Sequence, residues 1–286
     1  LKNKIAVSGA TGFIASYLIP FLEKKGFETI PLLRSDFEDE KLLTEKLKKC
    51  NGVINLAGEP IVKRWSESYK KRLYSSRVET TLKIVGVFNK LNYFPEFLIS
   101  ASAVGIYGDG VVCGENCDNF RNDFLGKLCV NWENAAFKLK DRTRVCVLRI
   151  GVVLGKNGGI IKKISPIFKL GLGGRLGSGK QGFSWVHIGD LCNMVDFLIE
   201  NKNLSGIFNA VSPNPLTNKE FTEAMAKVLK RPAIFPVPAF ALKLLFKEGA
   251  ILLLEGQKAV PERFLSAGFD FSYPEIHSAL RQVFYG

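Results

Sequence analysis

Short apolar runs alternate along the chain with longer stretches in which leucine, valine or phenylalanine return every three or four positions. Ile5-Ala6-Val7 is the first run, continuous as in a strand buried on both faces; Leu18, Ile19 and Leu22 then predict an amphipathic helix ending near Gly26. The same reading predicts strands at Glu28–Leu33, Val53–Gly58, Pro95–Ser102, Arg144–Ile150, Phe183–Ile188 and Ile207–Val211. Between them, Asp39–Lys49 carries Leu42, Leu43 and Leu47 at helical spacing, and Arg64–Lys90 turns from polar to amphipathic with Val78, Leu82, Val85, Val87 and Phe88 inward. Asp123–Leu139 presents Leu128, Trp132, Ala135 and Ala136 on one face. Asp190 reads as the N-cap of a helix to Glu200, and Thr217 with Glu220 as a capping box for the helix that follows Pro213. Strand and helix in strict alternation describe a doubly wound parallel sheet.

Beyond Leu154 the pattern changes. Gly158-Gly159 and the stretch Gly171–Lys180 are glycine-rich, and Lys162, Lys163, Lys169, Arg175 and Lys180 around them suggest a mouth that accepts anions. A proline-rich Arg231–Pro238, short apolar helices and Tyr273–Phe284 complete a smaller C-terminal lobe.

Chemistry concentrates at the first strand end. Ser8-Gly9-Ala10-Thr11-Gly12-Phe13-Ile14-Ala15 lies between a strand and a helix. Gly9 allows a tight turn, Gly12 lets backbone approach a pyrophosphate, and Ala15 lets the helix pack closely. The helix N-terminus then faces the phosphates with free N–H groups. Strand before and helix after make this a dinucleotide site. The second strand ends in Arg34-Ser35, where NAD sites carry an acid; a guanidinium fork suits a 2′-phosphate, so NADP(H) is expected, although Asp36 stands close by.

At 286 residues, with 47% hydrophobic and 23% charged, the chain can bury a sizeable core. No apolar run is long enough to span a bilayer, and Pro236–Leu245 is interrupted by Lys243. The net charge of +13 favours a small anionic substrate. The cations are spread without a nucleic-acid motif, so neither nucleic acid nor membrane is expected as a partner, and oligomeric state stays open. The six cysteines and two histidines form no metal-ligand pattern, so no metal is expected. Reduced thiols point to the cytoplasm; because Leu1 is not methionine, an organelle reached after removal of a transit peptide is the alternative.

Further marks are Asn55-Leu56-Ala57-Gly58-Glu59, Ser76-Arg77-Val78-Glu79-Thr80-Thr81, Ser102-Ala103-Val104-Gly105-Ile106-Tyr107-Gly108, Trp132-Glu133, Arg149–Gly155, Trp185–Asp190 and Leu253–Lys258 with Pro261. With the glycine turn they resemble the extended short-chain dehydrogenase/reductase superfamily, specifically its atypical epimerase branch, akin to nucleotide-sugar epimerases and SulA-like cell-division inhibitors. The resemblance implies a Rossmann α/β fold. It places an NADP-binding domain at 1–154 and 190–211, and a smaller C-terminal substrate lobe at 155–189 and 212–286. Cofactor contacts are then expected at Gly9, Thr11, Gly12, Phe13, Ile14, Arg34, Ser35, Leu56, Ala57, Gly58, Glu59, Arg77, Ser100, Ala101, Arg149 and Gly151.

Active members of the superfamily use a serine or threonine with a Tyr-x-x-x-Lys pair on one helical face. Aligned on Glu133, this chain has Leu125 and Cys129 at the tyrosine and lysine positions. Two functions therefore stand open, the first expected and the second its alternative. One is an oxidoreductase or epimerase using Ser102 and an acid from elsewhere, Tyr107 or His187 with Asp190, with Lys127 as an electrostatic aid. The other is an NADP(H)-binding sensor or scaffold with little turnover, in cell division for example.

Overall fold

The computed structural model describes residues 3–286. The apolar runs become one six-stranded, wholly parallel sheet: β1 (Lys4–Ser8), β2 (Glu28–Leu32), β3 (Gly52–Asn55), β4 (Phe97–Ala103), β5 (Arg144–Ile150) and β6 (Gly206–Ala210), in the order β6-β5-β4-β3-β1-β2. The strands read as unbroken apolar runs because both faces are covered. Ile5, Val7, Ile54, Ile99 and Leu148 pack into one core with the helices Phe13–Lys24 and Ile188–Glu200. Their strand neighbours Ala6, Val53, Leu98 and Val147 face the opposite core, under Glu40–Leu47, Thr80–Leu91 and the end of Phe124–Phe137. This is the period of two that a strand imposes.

The strand order reverses between β1 and β3, so the crevice at the carboxyl ends of those strands is where a parallel sheet of this kind takes its ligand. Three two-stranded ladders build the rest. Val152–Leu154 pairs with Trp185–His187, Gly182–Phe183 with Leu216–Thr217, and Val112–Cys113 with Lys258–Ala259. A third core holds Leu154, Phe168, Trp185, Phe221 and Leu280 together. The capping box forms as expected, with Thr217 N–H donating to Glu220 Oε2 at 2.7 Å and Glu220 N–H to Thr217 Oγ1 at 3.3 Å.

Three features correct the sequence reading. The helix Ile188–Glu200 is capped by His187, whose Nδ1 accepts the Gly189 N–H at 3.1 Å. Asp190 instead lies inside the first turn and accepts the N–H groups of Ser272 and Tyr273 at 2.9 and 3.0 Å, tying the C-terminal segment to the helix. Cys113 and Cys117 are joined in a disulfide, so reduced thiols are found only at Cys50, Cys129, Cys146 and Cys192, all buried. The long stretch after Arg64 is interrupted: Glu67–Tyr74 passes through a π-helical turn, Ser75–Glu79, before Thr80–Leu91. No helix among the described residues is long and apolar enough to cross a membrane.

Candidate dinucleotide site and the buried polar chain behind it

Gly9 adopts φ +66°, and a Cβ there would lie 2.7 Å from the Leu56 carbonyl oxygen, so the turn after β1 touches the strand end after β3 with no room for a side chain. Gly12 N–H donates to Gly9 O at 2.8 Å and closes the turn. Gly12 is also the N-cap of Phe13–Lys24, and no side chain caps that helix. Its first N–H groups are thus left for a ligand, as phosphate binding requires. Thr11 and Gly12 are exposed, and Ala15 is buried against the sheet. Phe13 packs its ring against Gly155, Gly158 and Gly159, positions where any Cβ would collide with it. Tyr17 Oη donates to the Lys156 carbonyl at 2.7 Å and fixes the same loop over the helix.

Beneath the turn is a network that sequence reasoning did not assign. Ser8 Oγ donates to Asn55 Oδ1 at 2.5 Å and accepts the N–H groups of Leu56 and Ala57 at 3.1 and 3.3 Å. Asn55 Nδ2 donates to Thr81 Oγ1 at 2.8 Å. All three side chains are buried, so these bonds keep the ends of β1 and β3 in register where no water reaches. The available signal was a serine and an asparagine closing otherwise apolar strands.

Arg34, four-fifths exposed, pairs with Glu59 Oε1 at 2.5 Å, bringing two expected cofactor residues together across the strand ends. Ser35 is exposed beside it. Asp36 is turned inward: its Oδ2 accepts Leu33 N–H at 2.6 Å and Lys46 Nζ at 2.7 Å. The acid that would suit an unphosphorylated ribose is therefore occupied, and the exposed guanidinium remains. Arg77, on the π-turn, donates to the Glu59 carbonyl at 2.9 Å, lies against Gly58 and stacks 5.4 Å above the Trp132 ring. Burial pulls its guanidinium down from the usual range. The buried Trp132 indole N–H has no hydrogen-bond partner among the described residues.

Ser100 Oγ accepts from Asn55 Nδ2 at 3.4 Å, in the network beneath the turn. Ser100 and Ala101 are buried within β4. Ser102 Oγ donates to Glu133 Oε1 at 2.7 Å; both Glu133 oxygens accept from Arg149, from Nε and Nη2 at 2.8 Å each. Arg149 Nη1 donates to Tyr107 Oη at 2.9 Å, and that hydroxyl donates to Asn209 Oδ1 at 2.8 Å, with Gly114 O 3.1 Å away. These side chains form one buried polar chain across β4, β5 and β6. Tyr107, expected as an acid, is 0% exposed and its phenol is pushed up by burial, against the pull of Arg149. Arg149 pairs the buried Glu133 carboxylate. At Gly151, a Cβ would strike the Ser184 carbonyl, so that glycine serves strand packing.

His187 lies apart, beside the third core, with its ring 4.0 Å from that of Tyr273. Its Nδ1 caps the helix, its Nε2 meets Gln282 Oε1 at 2.8 Å, and burial lowers its pKa. Leu125 and Cys129 are both buried, and burial raises the Cys129 thiol to about 12. Lys127 is exposed on the same helix. An open groove of about 570 Å³ near Lys140, Arg142 and Gly206 lies at the amino ends of β5 and β6, the wrong edge of a parallel sheet for a dinucleotide.

The description "NAD dependent epimerase/dehydratase family" matches residues 5–210, and a domain of unknown function, DUF1731, matches 237–283. The chain belongs to the NAD-dependent epimerase/dehydratase family. It is 39% identical to the chloroplastic epimerase family protein SDR39U1 homolog of Arabidopsis thaliana, over 98% of this chain and 86% of that one. The crystal structure of human epimerase family protein SDR39U1 (isoform 2) with NADPH superimposes with a TM-score of 0.93 at 35% identity, covering 98% of each chain. A nucleoside-diphosphate sugar epimerase from Corynebacterium glutamicum gives 0.80 at 28% identity, over 99% of this chain and 58% of that one. This epimerase-family chain thus shares its fold with the NADPH-bound human structure.

Proposed function

We propose that this chain binds NADP(H) along the carboxyl edge of β1, β2 and β3 and reads the presence of the dinucleotide as a sensor or scaffold, with little turnover. The Gly9–Gly12 turn and the uncapped helix start would hold the pyrophosphate, and Arg34 and Ser35 the 2′-phosphate. Leu56, Ala57, Gly58 and Arg77 would line the strand end beside them. Bound NADPH supplies a hydride; a carbonyl that takes it also needs a proton from an acid.

One observation carries the reading: the side chains that the sequence offered as that acid are engaged inside the protein. Ser102 is bonded to Glu133, Tyr107 to Arg149 and Asn209, and His187 to Gln282. Cys129 stays a neutral thiol at physiological pH, its pKa pushed up to about 12. The oxidoreductase or epimerase reading keeps one support, the apolar wall that Ile251 and Leu252 add near Leu125 and Trp132, against which the apolar face of a second ligand could pack.

The test is a fluorescence titration with NADPH and NADH, followed by an assay of NADPH oxidation over carbonyls and nucleotide sugars. Saturable binding that prefers NADPH, with no oxidation above the uncatalysed rate, is expected. Hydride transfer to any of these acceptors would overturn the sensor reading in favour of the enzyme. Equal affinity for both dinucleotides, or no binding, would remove both.

A further inference from the structure

Large apolar side chains stand in solvent on two adjoining segments of the C-terminal lobe. Leu170 and Leu172 follow the helix Gly159–Lys169, and Ile234, Phe235, Phe240 and Leu244 belong to the proline-rich segment and the helix Ala239–Phe246. Leu170, Ile234, Phe240 and Leu244 are 75%, 72%, 74% and 76% exposed. The segments run side by side: Phe235 N–H donates to Gly173 O at 3.1 Å and Val237 N–H to Arg175 O at 2.9 Å. Single exposed leucines are ordinary, but six apolar side chains on neighbouring segments make a patch that calls for a partner.

Charge on the same segments is one-sided. Residues 159–180 contain five Lys or Arg and no acid, and residues 227–247 contain another five and no acid. All ten cations are exposed, and none joins an ion pair among the described residues, although many cations elsewhere do. The cations of the glycine-rich loop, expected as the mouth of a substrate pocket, thus stand in solvent beside this patch.

We propose that this face docks on an anionic lipid bilayer, with Phe240, Leu244 and their neighbours entering the headgroup boundary and the surrounding lysines meeting lipid phosphates and carboxylates. Unpaired lysines around exposed aliphatic side chains are the complement of such a surface. A second copy of the chain would bring cations against cations with no acid between them. Nucleic acid would satisfy the lysines and leave the leucines and isoleucine in water. Surface docking needs no spanning segment, so the absence of a long apolar run that argued against a membrane partner does not bear on it.

Flotation of the full chain with vesicles tests this. Binding to phosphatidylcholine vesicles containing phosphatidylserine, none to phosphatidylcholine alone, and a loss of about tenfold or more on raising salt are expected. The double variant Phe240→Ser/Leu244→Ser should lose vesicle binding while its NADPH titration stays unchanged. Lys230→Gln/Lys243→Gln should weaken vesicle binding, again without touching the dinucleotide site. Failure to float with anionic vesicles overturns the proposal, as does flotation that the serine variant leaves intact. Binding to double-stranded DNA in place of vesicles, undiminished by the serine substitutions, would assign the face to nucleic acid and also overturn it.

Discussion

Lys46 holds the carboxylate of Asp36 2.7 Å from its ammonium and faces it inward, two residues beyond the exposed Arg34. A carboxylate at the end of β2 is what an unphosphorylated ribose would use, and here it is consumed by a lysine from the next helix and by Leu33 N–H. Lys46→Met should release a poorly paired Asp36 toward Arg34. The expected result is a several-fold fall in the preference for NADPH over NADH, measured by parallel titrations. Thermal stability should also fall, since a carboxylate that is 3% exposed loses its cation. An unchanged ratio would show that Arg34 alone sets the preference.

Tyr107 offers a clean separation between bracing and catalysis. Its hydroxyl joins Arg149 to Asn209 inside the protein, so Tyr107→Phe should cost about 1.5–3 kcal/mol of stability in denaturant unfolding, by the usual worth of a buried hydrogen bond to a charged group. NADPH affinity should not move. Glu133→Gln is the harsher change, because it leaves the Arg149 guanidinium buried without its carboxylate, and about 3–5 kcal/mol is expected.

Gly9→Ala addresses the turn itself. The residue sits at φ +66°, and the added methyl would press on the Leu56 carbonyl at 2.7 Å. A loss of about 1–3 kcal/mol is expected from the strained backbone, together with at least tenfold weaker NADPH binding as the turn opens. Calorimetric melts and the same titration read both. A variant that melts normally and binds normally would show that the turn does not seat the dinucleotide.

His187 is buried as the neutral ring, and its folded pKa is lowered below the unfolded value near 6.5. The unfolded chain therefore binds the proton more readily. The contribution of His187 to stability is complete above about pH 6.5 and declines as the pH falls below that value toward the folded pKa. His187→Asn keeps a residue type that caps helices and removes the titration. The difference in stability between the two proteins, followed from pH 7.5 to 5, should shrink on acidification. A constant difference would contradict the assignment.

Much of this molecule was legible from local pattern. Ile5-Ala6-Val7, the glycine turn and the spacing of Leu18 and Leu22 needed only the periods of strand and helix and the conformational freedom of Gly9. Thr217 and Glu220 are three residues apart, so their box was readable as well. The fates of Tyr107 and Ser102 were not. Tyr107 meets Asn209 across 102 residues of chain, and Ser102 meets Glu133 across 31. A serine or tyrosine at a strand end has the same local signature whether its hydroxyl faces a ligand or a buried ion pair. Periodicity reports which face of an element is buried, because burial follows the backbone repeat. Which polar groups meet inside depends on how distant strands and helices are placed against each other, and only the tertiary structure decides that. Sequence alone thus determined the parallel sheet and its dinucleotide turn. The fold decided that the candidate acids are bonded within the protein, that Asp36 faces away from the site, and that ten unpaired cations share adjoining segments with exposed leucine and phenylalanine.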